Sequence, residues 1–275
     1  MLQIVEKIIS ETSSQKLLDL QKEIDLFTER NEQKEQAEKM WKNRTDNKVF
    51  DEIRLVLGEM CKGNERCCYC EDARAYTIEH IFPKSIYPEK TFVWSNYLYI
   101  CGDCNSTKNN FFPVFTDTIS FKLAKLEDST NYDVVLLNPR KDNPLEYFEL
   151  DLTYFQFVSK FDDNTTREAT RAEQTLKILE LNADSGRKGE ILTNQRKNAF
   201  ESFRSHLYRY RELKAQSNIV EMENVKRQIC RTDHPTVWHE IKRYYVEYSD
   251  YFRESYKDMY DIFKQLPELL EIECV

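Results

Sequence analysis

Residues 67–110 read CCYCEDARAYTIEHIFPKSIYPEKTFVWSNYLYICGDCNSTKNN, and this stretch decides the fold. Two Cys-x-x-Cys turns, Cys67/Cys70 and Cys101/Cys104, stand near its two ends. Each turn aims two sulfurs at one point, and two such turns complete a closed, tetrahedral structural Zn²⁺ site. Cys68 lies inside the first turn, but using it would leave one residue before Cys70, so Cys67 is the expected ligand. Disulfides compete less well, because the chain carries no secretory signal and reads as a protein of the reducing cytoplasm. Cys61, Cys68, Cys230 and Cys274 have no comparable spacing and are read as buried or incidental thiols.

Between the cysteine turns, residues 75–80 (AYTIEH) alternate and include aromatic and β-branched side chains, as a short strand does. Residues 97–101 (YLYIC) give a second strand. The intervening IFPKSIYPEKTFVWS holds two prolines and no helical period, which predicts a long loop. After Cys104, NSTKNNFF allows one or two helical turns, with Asn105, Lys108 and Asn109 at i, i+3 and i+4 on one face. The order is a two-stranded hairpin packed on a short helix, with zinc tying the ends.

The polar residues of this unit suit phosphodiester hydrolysis. His80 supplies an imidazole, the side chain that in general titrates near neutrality, and fits a general base. Glu79, on the opposite face of the strand, and Asn105, on the helix, offer oxygen ligands, with Asn109 as a further candidate. Such an incomplete oxygen shell suits Mg²⁺ or Mn²⁺, which keep several waters. Asn96 is expected to orient His80 through its side-chain amide, and Lys108 to contact a phosphate. Asn105 also stands where the helix should begin, so a capping role is open for it.

The pattern C-x-Y-C, acidic-His-I-x-P-K-S, W-S-N, C-x-x-C-N-x-x-K resembles the HNH endonucleases of the ββα-metal fold. It is most similar to the PtuB-like HNH proteins of bacterial Septu anti-phage systems. LLNPRKDNPLEYFEL at 136–150 and TLKILELNADSGRKGEILTNQR at 175–196 fit the same branch, so the resemblance covers roughly residues 60–200 in separate blocks. It implies Glu79 and Asn105 as ligands of the catalytic ion, His80 as base and Asn96 as the orienting residue. Glu79 stands where many HNH nucleases place Asp, and Asn105 replaces a His, which makes the shell harder and favours Mg²⁺. The resemblance further implies DNA as substrate, products with a 5′-phosphate and a 3′-hydroxyl, and an ABC-type ATPase partner of the PtuA kind.

The expected fold class is α+β and mainly helical: a zinc-stabilised ββα-metal core flanked by helices. Four segments are expected: a helical region 1–60, the zinc-bound core 61–115, a mixed connector 116–165 and a helical region 166–275. Residues 1–45 read as helix on Leu2, Val5, Ile8, Ile9, Leu17, Leu20, Ile24 and Phe27, with residues 29–39 as a solvated face. Residues 46–62 read as a second helix burying Val49, Ile53, Leu55, Val56 and Met60. FTDTISFKL and YFELDLTYFQFV read as strands. A stop at Asn182 precedes a long helix from about Gly186. His234-Pro235 marks a loop before a last helix. His206, His234 and His239 lack metal spacing and read as structural. Tyr244, Tyr245, Tyr248, Tyr251, Phe252 and Tyr256 either stack on bases or pack into the core, and their acidic neighbours favour packing.

Charged residues make up 32% of the 275, and the net charge is −8. No apolar run is long enough to span a membrane. An acidic chain repels DNA at long range, whereas tight capture of duplex DNA relies on a basic surface and counterion release. Lys84, Lys90 and Lys108, with Arg187, Lys188, Arg196 and Lys197 beyond, are the local basic residues. A subunit that supplies chemistry while a partner supplies DNA or the licence to cut reconciles the charge with the site. A zinc-stabilised binding module without catalysis is the alternative from another class, but it would not need Glu79, His80, Asn96 and Asn105 together. A stand-alone modification-dependent restriction enzyme would need a base-reading domain, and none is visible.

Overall fold

The structure is a computed structural model that describes residues 1–43, 48–128, 130 and 132–274. Its elements are mainly helical. Helices α1 (Glu11–Asp25), α2 (Arg30–Lys42), α3 (Lys48–Met60) and the single turn α4 (Lys62–Glu65) lead into strand β1 (Thr77–His80). Strand β2 (Tyr97–Ile100) and helix α5 (Gly102–Lys108) complete the cysteine-bounded unit. Two further hairpins follow, β3 (Pro113–Phe115) with β4 (Phe121–Leu123) and β5 (Phe148–Asp151) with β6 (Gln156–Ser159). Helices α6 (Arg167–Ile178), α7 (Arg187–Ala215), α8 (Ile219–Arg231), α9 (Pro235–Glu247), α10 (Ser249–Ser255) and α11 (Lys257–Gln265) close the chain.

Strand β1 pairs antiparallel with β2, Thr77 opposite Ile100 and His80 opposite Tyr97. The hairpin is therefore open at the His80 end, where residues 81–96 form its loop, and closed by cysteines at the other. One hydrophobic core runs through residues of all four expected segments, from Ile4 and Leu17 through Ile100 and Leu150 to Phe203 and Phe263. A small second core of Ile86, Tyr87, Phe112, Val114, Ala124 and Leu136 lies under the long loop. Helix starts follow local chemistry: Ser10, Thr166 and Asn218 each accept a backbone N–H of the first turn. No helix of the described residues is long and apolar enough to cross a membrane.

Several expectations change. Residues 1–10 are not helical; they run as an arm whose Met1, Ile4 and Ile9 are buried while Ile8 is exposed. Burying alternate patches of an arm produces apolar spacings that imitate a helix. The boundary expected near 45 lies outside the described residues. In α3 the buried face is Phe50, Ile53, Leu57 and Met60, and Leu55 is 62% exposed. FTDTISFKL is a hairpin rather than one strand, because Asp117 accepts the N–H groups of Ile119 and Ser120 and turns the chain. YFELDLTYFQFV likewise turns, at Asp151. The expected last helix is three, broken at Tyr248 and Tyr256. Its aromatics pack in part: Phe252 is fully buried and the Tyr256 hydroxyl donates to the Leu152 carbonyl at 2.9 Å, while Tyr248 and Tyr251 are exposed. Cys230 and Cys274 are joined as a disulfide instead of standing as separate thiols.

The NPRKDNP loop is a brace for the hairpin. The Arg140 guanidinium, 2% exposed, donates to the carbonyls of Trp94 at 2.6 Å and Tyr97 at 2.7 Å, pairs with Glu6, and lies over the Trp94 ring. It thus joins the N-terminal arm, the loop end and β2. Arg140→Ala should lower stability by about 3 kcal/mol, because buried carbonyls lose a charged donor. Urea unfolding of the two proteins at equal zinc content measures it.

Candidate metal centre and catalytic cleft

The cysteine sulfurs of Cys67, Cys70, Cys101 and Cys104 are buried and lie within 4.8 Å of one another. Tetrahedral zinc with Zn–S bonds of about 2.3 Å puts sulfurs roughly 3.8 Å apart, and Cys70 Sγ and Cys101 Sγ are at 3.7 Å. The site fits zinc, which would be held by these four residues. Cys68 is excluded; its sulfur lies 3.6 Å from that of Cys61 on the flank. The second turn is local chemistry. Cys101 is the N-cap of α5, its sulfur accepting the Cys104 N–H at 3.4 Å. A Cβ at Gly102 would meet the Tyr76 hydroxyl, so any larger residue there would push the exposed Tyr76 side chain aside. Asn105 is consequently inside the helix, and the capping role expected as an alternative belongs to Cys101. Burial pushes the Cys67 thiol well up, so metal binding must displace a proton held in the interior.

Beside this centre is a cleft of about 430 Å³ lined by Glu79, His80, Pro83, Lys84, Asn105, Ser106, Asn109 and Asn110. The two strand residues and the two helix asparagines singled out in the sequence therefore meet. His80 and Glu79 point to different neighbours, as strand alternation requires. His80 packs on the Trp41 ring at 4.2 Å, and its Nε2 lies 3.0 Å from the Thr91 carbonyl. A carbonyl only accepts, so Nε2 carries the proton and Nδ1 is the basic nitrogen of the neutral ring. Glu79 faces α5.

Three expectations are corrected. Asn96 does not touch His80. Its amide accepts from Phe82 N–H at 2.8 Å and donates to the carbonyls of Phe82 and Lys90. It clamps the two sides of the loop, and Thr91, next to Lys90, then holds His80. Lys108 does not face a phosphate; it is 1% exposed, its Nζ 2.5 Å from Glu79 Oε1 and 3.2 Å from the His80 carbonyl. Arg196, counted among the basic surface residues, is 2% exposed and donates to the carbonyls of Phe155 and Leu181. Burial brings its pKa down to about 10, so it stays charged, but inside the fold. Asn109 ends α5 with φ 41° and is exposed at the cleft. Arg187 and Lys188 line a neighbouring cavity that shares Ser106 with the cleft.

The supporting groups the sequence left unmarked are Thr91, Tyr97, Gln21 and Trp41. The Thr91 carbonyl also accepts the Tyr97 hydroxyl at 2.8 Å. Gln21, from α1, accepts Phe92 N–H and donates to the Pro88 carbonyl. A backbone acceptor has no signature in residue type. Gln21, a polar residue among the apolar spacings of α1, was the one detectable sign.

Among known proteins, the chain is 33% identical to Septu protein PtuB of Bacillus mycoides (strain KBAB4) over 117 residues, covering 36% of this chain and 38% of that protein. It is 27% identical to Septu protein PtuB of Bacillus thuringiensis over 135 residues, 47% of this chain and 41% of that protein. Over that share the chain is similar to these two PtuB proteins. The PtuB-like match spans about two fifths of the length of these curated relatives. No protein-family model matches the chain, and no solved structure matches it.

The cysteine centre generates a clear expectation. Cys101→Ser should fold poorly and hold less than one zinc per chain, since structural-zinc binding energy is folding energy. Cys61→Ser, outside the cluster, should keep a full zinc. Metal analysis of the two purified proteins distinguishes them, and a folded, zinc-replete Cys101→Ser protein would contradict the assignment.

Proposed function

We propose that the protein is a metal-dependent HNH-type endonuclease that hydrolyses DNA phosphodiesters as the nuclease subunit of a Septu anti-phage system. One observation carries this reading: a histidine held at the Thr91 carbonyl, a carboxylate, and asparagines within and at the end of α5 line a single polar cleft beside a four-cysteine cluster. The similarity to two Septu proteins supports the defence assignment.

Glu79, Asn105 and Asn109 offer oxygen donors only, a set that fits a hard cation retaining its waters. Mg²⁺ or Mn²⁺ held there would neutralise charge on the scissile phosphate. His80, lining the cleft, removes a proton from the attacking water. The Thr91 carbonyl stabilises the ring as it gains that proton, because Nε2–H becomes a stronger donor on an imidazolium. Trp41 and Tyr97 limit the ring's rotation. Asn96 acts through the loop, so its loss should lower turnover without changing zinc content.

A net charge of −8 opposes independent DNA capture, and an ABC-type ATPase of the PtuA kind is the proposed partner that delivers DNA or releases activity. Plasmid nicking with Mg²⁺ or Mn²⁺, with and without that ATPase, tests the proposal. The protein should nick and His80→Ala at equal zinc content should fall by about 10²-fold or more. Equal cleavage by both proteins would exclude His80 as the base. Absence of cleavage under both conditions would favour a non-catalytic binding module.

A further inference from the structure

We infer that Lys108 stands in for the cation at Glu79 and thereby sets how tightly the cleft holds a divalent ion. The inference rests on the cation site proposed above, and it concerns a lysine whose expected role was a phosphate contact.

The Lys108 ammonium is buried, 1% exposed, with Glu79 Oε1 at 2.5 Å. Its second acceptor is the His80 carbonyl at 3.2 Å. Lysine supplies three donors and a full positive charge on a flexible stem. Here that charge sits on the one carboxylate that lines the cleft. Lys108 is the last residue of α5, three positions after Asn105 and immediately before Asn109. The helix that supplies the neutral oxygen donors therefore also supplies the competing charge.

Two positive charges cannot share one buried carboxylate oxygen without strong repulsion in a poorly screened site. A divalent ion must either displace the ammonium or take the other Glu79 oxygen against the ammonium's repulsion, and either way its binding is weakened. Removing Lys108 has the opposite consequence: a buried carboxylate is left without compensation, and a cation becomes the group that satisfies it. The affinity of the cleft is thus low by construction, and neutralising Lys108 raises it.

The test is Mn²⁺ binding, followed by electron paramagnetic resonance of free Mn²⁺, on zinc-loaded protein in chelator-treated buffer. Wild type, Lys108→Met, Glu79→Gln and the double variant are compared. Lys108→Met should bind Mn²⁺ about ten-fold more tightly than wild type, and the double variant should lose that gain. Unchanged or weaker binding by Lys108→Met, with binding lost in Glu79→Gln, overturns this inference and leaves the cation site standing. Binding indifferent to Glu79→Gln overturns both. Thermal unfolding gives a second readout. Lys108→Met should be less stable than wild type and recover on adding Mn²⁺, whereas the double variant, with no buried charge, should respond little. A Lys108→Met protein that Mn²⁺ stabilises no more than wild type, or that stays insoluble in Mn²⁺, overturns the inference.

Discussion

Four cysteine sulfurs gathered at one buried point are the constraint on which the rest depends. Zinc in such a site contributes about 10–16 kcal/mol at neutral pH, comparable with the 5–15 kcal/mol that stabilises a whole domain. The elements it holds could not persist alone. A two-stranded hairpin is marginal in water, and a seven-residue helix lies well below the length at which isolated helices form. The same Cys101 sulfur that would ligate a metal caps that helix, so a metal bound there would also fix where the helix starts.

From this anchor the cleft is built outward to its least regular part. Residues 81–96 leave the hairpin at its open end and carry no regular element beyond two short 3₁₀ turns. Their shape comes from buried side chains bonding to backbone: Asn96 to residues 82 and 90, Gln21 to residues 88 and 92, Arg140 to residues 94 and 97. The Thr91 carbonyl is the point where this network meets His80. A loop fixed in this way can present a reactive group with the precision of a strand, at the cost of depending on helices remote in sequence.

The Lys108–Glu79 pair sets the electrostatic character of the site. A carboxylate buried next to an ammonium is balanced but not inert. It holds a charge that an incoming cation must contest. Together with the acidic balance of the whole chain, this leaves little net positive charge at the cleft.

Residue type and spacing were enough to foresee the four-cysteine cluster, the hairpin between its two turns, the short helix that starts at the second turn, and the meeting of Glu79, His80, Asn105 and Asn109. These are encoded locally, by two Cys-x-x-Cys turns, strand alternation and helical spacing within 44 residues. Tertiary structure alone decided what Asn96, Lys108 and Arg196 do, because a polar side chain finds its partner among backbone and charges brought near by folding, and residue type does not say which. It also decided the path of residues 1–10, whose apolar spacing suits a helix but whose buried residues pack as an arm along the core. Spacing records which side chains are buried; only the assembled surfaces determine the backbone that buries them.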